Sequence, residues 1–181
     1  MKNYHYEDGL ESERLISVFM KKEDWKDWSD FFNGNGDATF LPTFDETVPD
    51  EIAKKWVNHQ LIRYEEENFG MQWLIEKSSG KKLGLCGLLY QDINGTLELE
   101  VGYSFFKSSW GQGYASEAAQ LFRDYGFKGF EVDSIISLID PKNVPSQKVA
   151  ERNGMKKGAI VDWKGLKLNV WRISRKEWQE R

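Results

Sequence analysis

The chain has 181 residues, of which 40% are hydrophobic and 30% charged, and its formal net charge is −4. This composition is typical of one globular domain over residues 1–181, and it argues against a disordered chain or a nucleic-acid-binding one. No apolar run approaches the roughly 20 residues that cross a bilayer, and the first residues lack the apolar core of a signal peptide. We therefore expect a cytoplasmic protein without a membrane partner, either monomeric or homodimeric.

Cysteine and histidine are scarce. The one cysteine, Cys86, lies in the apolar run "LGLCGLLY", which favours a buried core position over a nucleophile. The two histidines are His5 and His59, too few with one cysteine for a zinc site of the usual type. We expect no metal, and chemistry that uses carboxylates, hydroxyls and backbone amides.

The N-terminal part predicts a strand followed by a helix. Arg14–Met20 has the composition of a strand, and residues 21–32 then place Trp25, Trp28 and Phe32 on one helical face. Acidic residues occupy the first turn of that helix, where its dipole favours negative charge.

A flexible loop and a second helix are predicted next. Glycine and asparagine make a loop that runs from residue 33 to about residue 45. Thr47 and Asp50 have the spacing of a capping box, and Pro49 suits a first helical turn. The core-facing positions of this helix are Ala53, Trp56, Val57, Leu61 and Tyr64.

Three strands follow, at residues 71–76, 82–91 and 96–106, with short turn-rich separators. Asn94-Gly95 in the second separator is a strong hairpin pattern. The rest of the chain predicts a helix from Tyr114, a strand at 134–140, a helix at 146–153 that ends before Gly154, and a hairpin around "WKG". This order predicts an α+β fold, with a mostly antiparallel central sheet flanked by helices.

The stretch "WGQGYA", Trp110–Ala115, puts a glycine turn directly before a helix. The first N–H groups of a helix lack intrahelical partners, and glycines let a phosphate approach them. The alternative is a tight turn that binds nothing. Two other phosphate motifs fail, because the chain lacks a Gly-Lys-Ser/Thr sequence here and has Ser116 where a dinucleotide motif needs a third glycine.

These residues resemble the GNAT superfamily of acetyl-CoA-dependent N-acetyltransferases. Its Arg/Gln-x-x-Gly-x-Gly/Ala motif matches "WGQGYA" with tryptophan in the leading position, and Asn143–Met155 resembles its Asn-x-x-Ala/Ser…Gly-Phe segment. The stretch Glu11–Trp25 is similar to the N-terminal segment of the ribosomal-protein (alanine/serine) N-acetyltransferase branch. The motif order and the strand order also match over nearly the whole chain.

The resemblance implies acetyl-CoA as cosubstrate and a set of residues that hold it. The backbone at Tyr103 and Phe105 would pair with the pantetheine arm, and Asn143 would reach it from another side. Lys107 or Lys148 is a candidate partner of the 3′-phosphate, although a plain surface lysine is the alternative. The pyrophosphate would lie against Gly111, Gln112, Gly113, Tyr114, Ala115 and Ser116.

Acetyl transfer to an amine is helped by a base, since amines are largely protonated at neutral pH. Glu98 and Glu100 share one face of their strand, and Glu100 matches a glutamate that often precedes Gly-Tyr in the branch. The alternatives are a solvated polar face and Asp162 as the base. Ser146 stands where the branch carries a serine proposed to protonate the thiolate, and a helix cap is its other interpretation.

The acceptor is predicted to be a primary amine: a protein N-terminus, a polyamine or an aminoglycoside. The transfer would be direct, within a ternary complex. A function of another class is a catalytically silent acyl-CoA-binding module that regulates a partner. The acceptor site would be shaped by the N-terminal helices and the 33–47 loop, with Trp25, Trp28, Phe40, Phe44 and Trp56 nearby in sequence.

Overall fold

A computed structural model describes residues 5–42 and 45–181 of the chain. Within this part, seven strands form one sheet in the order β1-β2-β3-β4-β5-β7-β6. The strands are β1 Leu15–Phe19, β2 Phe69–Glu76, β3 Lys82–Ile93, β4 Thr96–Phe105, β5 Ser134–Ile139, β6 Lys156–Trp163 and β7 Leu166–Ser174. The helices are α1 Trp25–Asp30, α2 Pro49–Glu65, α3 Tyr114–Gly129, α4 Val144–Arg152 and α5 Arg175–Gln179.

Neighbouring strands pair antiparallel except for β4 and β5, which are parallel. This arrangement confirms the predicted α+β fold. None of the helices within the described ranges is long and apolar enough to span a bilayer.

The sheet is buried on both faces at its centre. On β2, Trp73 packs into the cluster with α1 and α2, whereas its neighbour Leu74 packs into the cluster that contains α3. Successive strand residues point to opposite faces, so β2 must be apolar at both. This explains why the central strands read as nearly continuous apolar runs rather than as alternating patterns.

The predicted meander of β2, β3 and β4 is confirmed. Ile93 pairs with Thr96, and the two turn residues between them, Asn94 and Gly95, have φ of 53° and 82°. A two-residue turn with two left-handed residues suits the twist of a hairpin, and it favours Asn-Gly.

The N-terminal helices depart from the prediction in two ways. The expected helix at 21–32 is divided into a helical turn at Lys22–Asp24, the short α1, and a wider turn at Phe31–Asn35. The predicted capping box at Thr47 is wrong: Val48 precedes α2, and no side chain caps it. The Asp50 carboxylate accepts a hydrogen bond from the Ser29 hydroxyl of α1 instead.

The C-terminal half follows the prediction and adds one helix. The predicted helix at 146–153 is α4, and the final hairpin is β6–β7. The addition is α5, whose first turn is held by a reciprocal capping box between Ser174 and Glu177. The Ser-x-x-Glu pattern was present in the sequence and would have predicted this start.

The parallel strands β4 and β5 separate soon after they meet. Their ladder contains one pair, Glu100 with Ile136. Next to it, the Ser137 hydroxyl donates to the Val101 carbonyl at 2.7 Å. Beyond this point both strands line a common cavity, and the separation therefore opens the sheet where the candidate site lies.

Candidate active site

A cavity of about 1050 Å³ lies between the separated strands. Two sets of elements line it. The first set is the end of β4, the glycine turn, the start of α3 and α4, and the second is α2, the loop at 37–42 and the β6–β7 turn. Glu100 and Val101 lie on β4 between the two sets.

The glycine turn has the geometry of an anion site. Gly113 precedes the first residue of α3 with φ 83° and ψ 0°, a left-handed conformation, and no side chain caps the helix. A Cβ added to Gly111 would meet nothing within 4 Å, so the approach to the turn is open. The free N–H groups of a helix N-terminus carry partial positive charge. This geometry fits a pyrophosphate.

Arg14 supports the turn, and sequence reasoning did not identify it. Its Nη1 donates to the Gln112 carbonyl at 3.0 Å, and its Nη2 lies 2.7 Å from a carboxylate oxygen of Glu117. The guanidinium also stacks 4.3 Å above the centre of the Tyr114 ring. No local pattern could have revealed this role, because Arg14 lies about 100 residues before the turn in the chain.

Most of the predicted cosubstrate residues line the cavity. Those that do are Tyr103, Phe105, Gly111, Gly113, Tyr114, Ala115, Ser116 and Asn143. Gln112 lies outside the lining, and its side-chain amide donates to the Ser108 carbonyl at 3.0 Å. The Trp110 indole donates to the Phe105 carbonyl at 2.9 Å, so the leading tryptophan of the motif ties the turn to the end of β4. Lys148 reaches the lining, whereas Lys107 donates to the Gly34 carbonyl at 2.8 Å.

Glu100 is a buried carboxylate that lines the cavity. The Leu138 N–H donates to its Oε1 at 3.0 Å, and the Gln91 amide donates to its Oε2 at 2.7 Å. Burial raises the pKa of Glu100, while these two hydrogen bonds and the charges of Arg63 and Lys164 oppose the rise. Each carboxylate oxygen keeps a second lone pair that could accept a proton.

The two other candidate bases lie outside the cavity lining. Glu98 faces Arg172, whose Nη2 and Nη1 donate to its two carboxylate oxygens at 2.6 and 2.9 Å. Asp162 accepts the Gly165 N–H at 3.1 Å and the Lys167 ammonium at 2.9 Å, and these contacts lower its pKa. Glu98 therefore joins β4 to β7, and Asp162 holds the β6–β7 turn.

The cap of α4 is Asn143 rather than Ser146. The Asn143 Oδ1 accepts the backbone N–H of Ser146 at 3.2 Å, so the interpretation of Ser146 as a cap is wrong. Its hydroxyl has no hydrogen-bond partner among the described residues, and Ser146 lines the cavity. The Tyr103 hydroxyl donates to the Ser146 carbonyl at 2.9 Å and ties β4 to α4.

Some of the predicted aromatic residues reach the second set of lining residues. Phe40 and Trp56 line the cavity, whereas Trp28 is fully buried in the core beside α2 and Trp25 packs against the same core. Phe44 lies outside the described residues. Sequence reasoning missed the basic residues of this set: His59 and Arg63 on α2, and Lys164 on the β6–β7 turn.

Cys86 is fully buried, and burial raises the pKa of its thiol. This confirms the expected core position. Cys86 does not line the cavity, so its thiol is not placed to attack a molecule bound there.

Known structures share this fold. The structure of RimL, a ribosomal L7/L12 alpha-N-protein acetyltransferase in complex with coenzyme A, superposes with a TM-score of 0.73. The match covers 93% of this chain and 98% of RimL, with 16% sequence identity. At this identity, the likeness supports the fold.

Two curated relatives come from Bacillus subtilis strain 168. The uncharacterized protein YkkB is 40% identical over 105 residues, which are 57% of this chain and 60% of YkkB. The match thus spans about three fifths of YkkB. The uncharacterized N-acetyltransferase YnaD is 28% identical over 155 residues, 85% of this chain and 88% of YnaD.

A family model gives the assignment. The model of the acetyltransferase (GNAT) domain matches residues 14–156, which include β1, the glycine turn and all of α4. The matched range also contains β4 and β5, which line the cavity together with the glycine turn and α4. The chain belongs to the GNAT acetyltransferase family.

Proposed function

We propose that the protein transfers an acetyl group from acetyl-CoA to a primary amine. The observation that carries the proposal is the cavity itself, which joins an uncapped helix N-terminus to a buried carboxylate. A cosubstrate with phosphates at the glycine turn and its thioester near Glu100 would fit this arrangement. Family membership and the coenzyme A complex of RimL support the same cosubstrate.

The cosubstrate would be held largely by the backbone. The N–H groups of the glycine turn and the first turn of α3 would bind the pyrophosphate, which takes the place of a helix cap. The separated edge of β4 at Tyr103 and Phe105 would pair with the pantetheine amides, and Asn143 lies across the cleft at the start of α4. Lys148 and Arg152 of α4 also line this part and add positive charge.

The reaction would be a direct transfer. A neutral amine attacks the thioester carbonyl, a C–N bond forms, and the C–S bond then breaks with its electrons on sulfur. The amine nitrogen loses a proton and the thiolate of coenzyme A gains one. Because the Cys86 thiol lies outside the cavity lining, we expect sequential kinetics rather than an acetyl-enzyme intermediate.

Glu100 is our candidate for the base that receives the amine proton, directly or through water. Its burial raises the pKa, and a carboxylate with a raised pKa is a better proton acceptor near neutral pH. Ser146 is our candidate for the acid. Ser146 lines the cavity, and its hydroxyl has no hydrogen-bond partner among the described residues, which leaves it available to donate to the departing thiolate.

Two assays test this proposal, one of cosubstrate binding and one of turnover. Acetyl-CoA should raise the melting temperature, by the equivalent of about 2.7 kcal/mol at 100 times its Kd, while ATP and NAD should not. Release of free coenzyme A thiol should then depend on an added primary amine. An equal shift with ATP would make the turn a general phosphate site. A shift with acetyl-CoA and no thiol release with any amine would support the silent acyl-CoA-binding module.

A further inference from the structure

The second set of lining elements, where the amine acceptor would bind, contains a group of basic side chains. His59 and Arg63 lie one turn apart on α2, and Lys164 lies on the β6–β7 turn. The positive charges of Arg63 and Lys164 oppose the rise that burial causes in the pKa of Glu100, and they add to the lowering that burial causes in the pKa of His59. The four side chains are therefore close enough to interact electrostatically.

Arg63 is free to bind a ligand. Among described residues, its one hydrogen bond runs from Nη1 to the Asn68 carbonyl, at 3.3 Å. No carboxylate within the described ranges pairs with it. A guanidinium has five N–H donors, and those on Nε and Nη2 form a fork that matches a carboxylate.

Lys164 occupies a backbone position that does not suit lysine. Its φ is 49° and that of Gly165 is 81°, so this hairpin turn has the same left-handed pair of residues as the Asn94-Gly95 turn. Asparagine is favoured at the first of these positions, and other side chains are strained there. The Lys164 ammonium lies 4.6 Å above the Trp163 ring, and the residue lines the cavity. The turn therefore holds a cationic side chain at the cavity, in a position where asparagine is the commoner residue.

The negative charges that act on Arg63 are those of Glu100 and Glu66, and neither carboxylate forms an ion pair with it among the described residues. Asp37, in the loop at 37–42, also lines the cavity, and the basic group whose charge acts on it is Lys107.

The same part of the cavity contains the apolar residues Trp56, Met71 and Leu89. Its two amides, Gln60 and Gln91, already bind the Met71 N–H and the Glu100 carboxylate. Such a site suits an apolar amine that also carries a negative group, and it disfavours a polycation.

We propose that the acceptor is a small amino-acid-like amine, whose carboxylate is bound by Arg63 and Lys164 while its amino group faces Glu100. This inference rests on the proposed acetyl transfer. It selects among the acceptor classes that the sequence left open, and it argues against polyamines and aminoglycosides.

The first test compares an acid with its amide, which differ at the carboxyl group, and adds a polyamine. Thiol release is measured with L-phenylalanine, L-phenylalaninamide and spermidine, for the wild type and for Arg63→Gln. We expect kcat/KM for phenylalanine to fall about 10- to 100-fold in Arg63→Gln, mainly through KM, as the loss of a charge-assisted pair predicts. The value for the amide should change less than about twofold. Each acceptor is its own reference, so differences in amine pKa cancel.

Lys164→Asn separates binding from folding. We expect it to weaken phenylalanine acetylation while keeping or raising the melting temperature, because asparagine suits the turn. Lys54→Gln on α2 is the control, since this lysine pairs with Glu51 outside the cavity lining. It should behave as wild type toward phenylalanine.

A binding measurement makes the inference independent of turnover. Calorimetry with 3-phenylpropanoate, a carboxylate without an amine, is performed on the protein saturated with coenzyme A. Binding that is lost in Arg63→Gln supports the carboxylate site at Arg63 even if no amine is acetylated, and in that case it is the proposed acetyl transfer that fails. Preference for spermidine over phenylalanine, or equal loss for acid and amide in Arg63→Gln, overturns the inference and leaves acetyl transfer standing. Absence of binding and of phenylalanine turnover also overturns it.

Discussion

The Glu100 carboxylate accepts the backbone N–H of Leu138 at 3.0 Å, across the point where β4 and β5 separate. A side chain thus replaces a backbone acceptor in the parallel ladder. The same residue lines the cavity. Glu100 therefore combines a structural contact with the position expected of a catalytic base, and experiments on it must separate the two.

Glu100→Gln should lower kcat/KM by about 10²- to 10⁴-fold at neutral pH if Glu100 is the base. A base acts in its deprotonated form, so wild-type activity should fall as the pH decreases through the raised pKa of Glu100. The deficit of the variant should shrink at high pH, where the amine is already neutral. The measurement is a pH–rate profile with one amine acceptor. Asp162→Asn is the control, and a loss found there instead would contradict the assignment.

The same variant should not destabilise the protein at neutral pH. Burial raises the pKa of Glu100 in the folded state, so the folded protein binds this proton more tightly than the unfolded chain. The contribution of Glu100 to the free energy of unfolding is then greatest below its pKa in the unfolded chain, which is about 4.3. It decreases as the pH rises through the higher pKa of the folded protein. Glutamine removes this loss and keeps an acceptor for Leu138, while a rotated Gln91 amide accepts from the new NH2 group. Urea unfolding of both proteins at acidic and neutral pH measures the difference, and a variant less stable at neutral pH would contradict the argument.

Ser116→Glu should separate folding from cosubstrate binding at the glycine turn. Ser116 is the third residue of α3 and lines the cavity. A carboxylate there favours the helix dipole by about 0.3–1 kcal/mol, but it repels the pyrophosphate. We expect an equal or higher melting temperature without ligand, and at least about tenfold weaker acetyl-CoA binding by calorimetry. Ser116→Gln, of the same size but neutral, is the control. Equal affinities for the two variants would mean that no anion binds at this turn.

Asn143→Ala and Ser146→Ala should differ in their effects. Asn143 caps α4, so its loss should reduce stability by about 1 kcal/mol. The Ser146 hydroxyl has no described hydrogen-bond partner in the lining, so its loss should leave stability nearly unchanged and lower kcat. Urea unfolding and initial rates at saturating acetyl-CoA distinguish the two. Reduced stability in Ser146→Ala with a normal kcat would exclude it as the acid.

The sequence by itself determined the fold class and the glycine turn. These follow from local rules: strand composition in β2, β3 and β4, the Asn94-Gly95 hairpin, and glycines that must adopt left-handed conformations before α3. Such properties depend on a few neighbouring residues, so they can be predicted without the rest of the chain. The Thr47 capping box shows the limit, because Asp50 contacts Ser29 of another helix.

Only the tertiary structure decided which polar residues meet at the cavity. Glu98 and Glu100 share a strand face, yet Arg172 of β7 engages the first while α2 and β5 surround the second. Long-range packing also brings Arg14 to the glycine turn, and Arg63 and Lys164 to the cavity. Burial and charge depend on neighbours that are distant in the chain, so no local pattern encodes them.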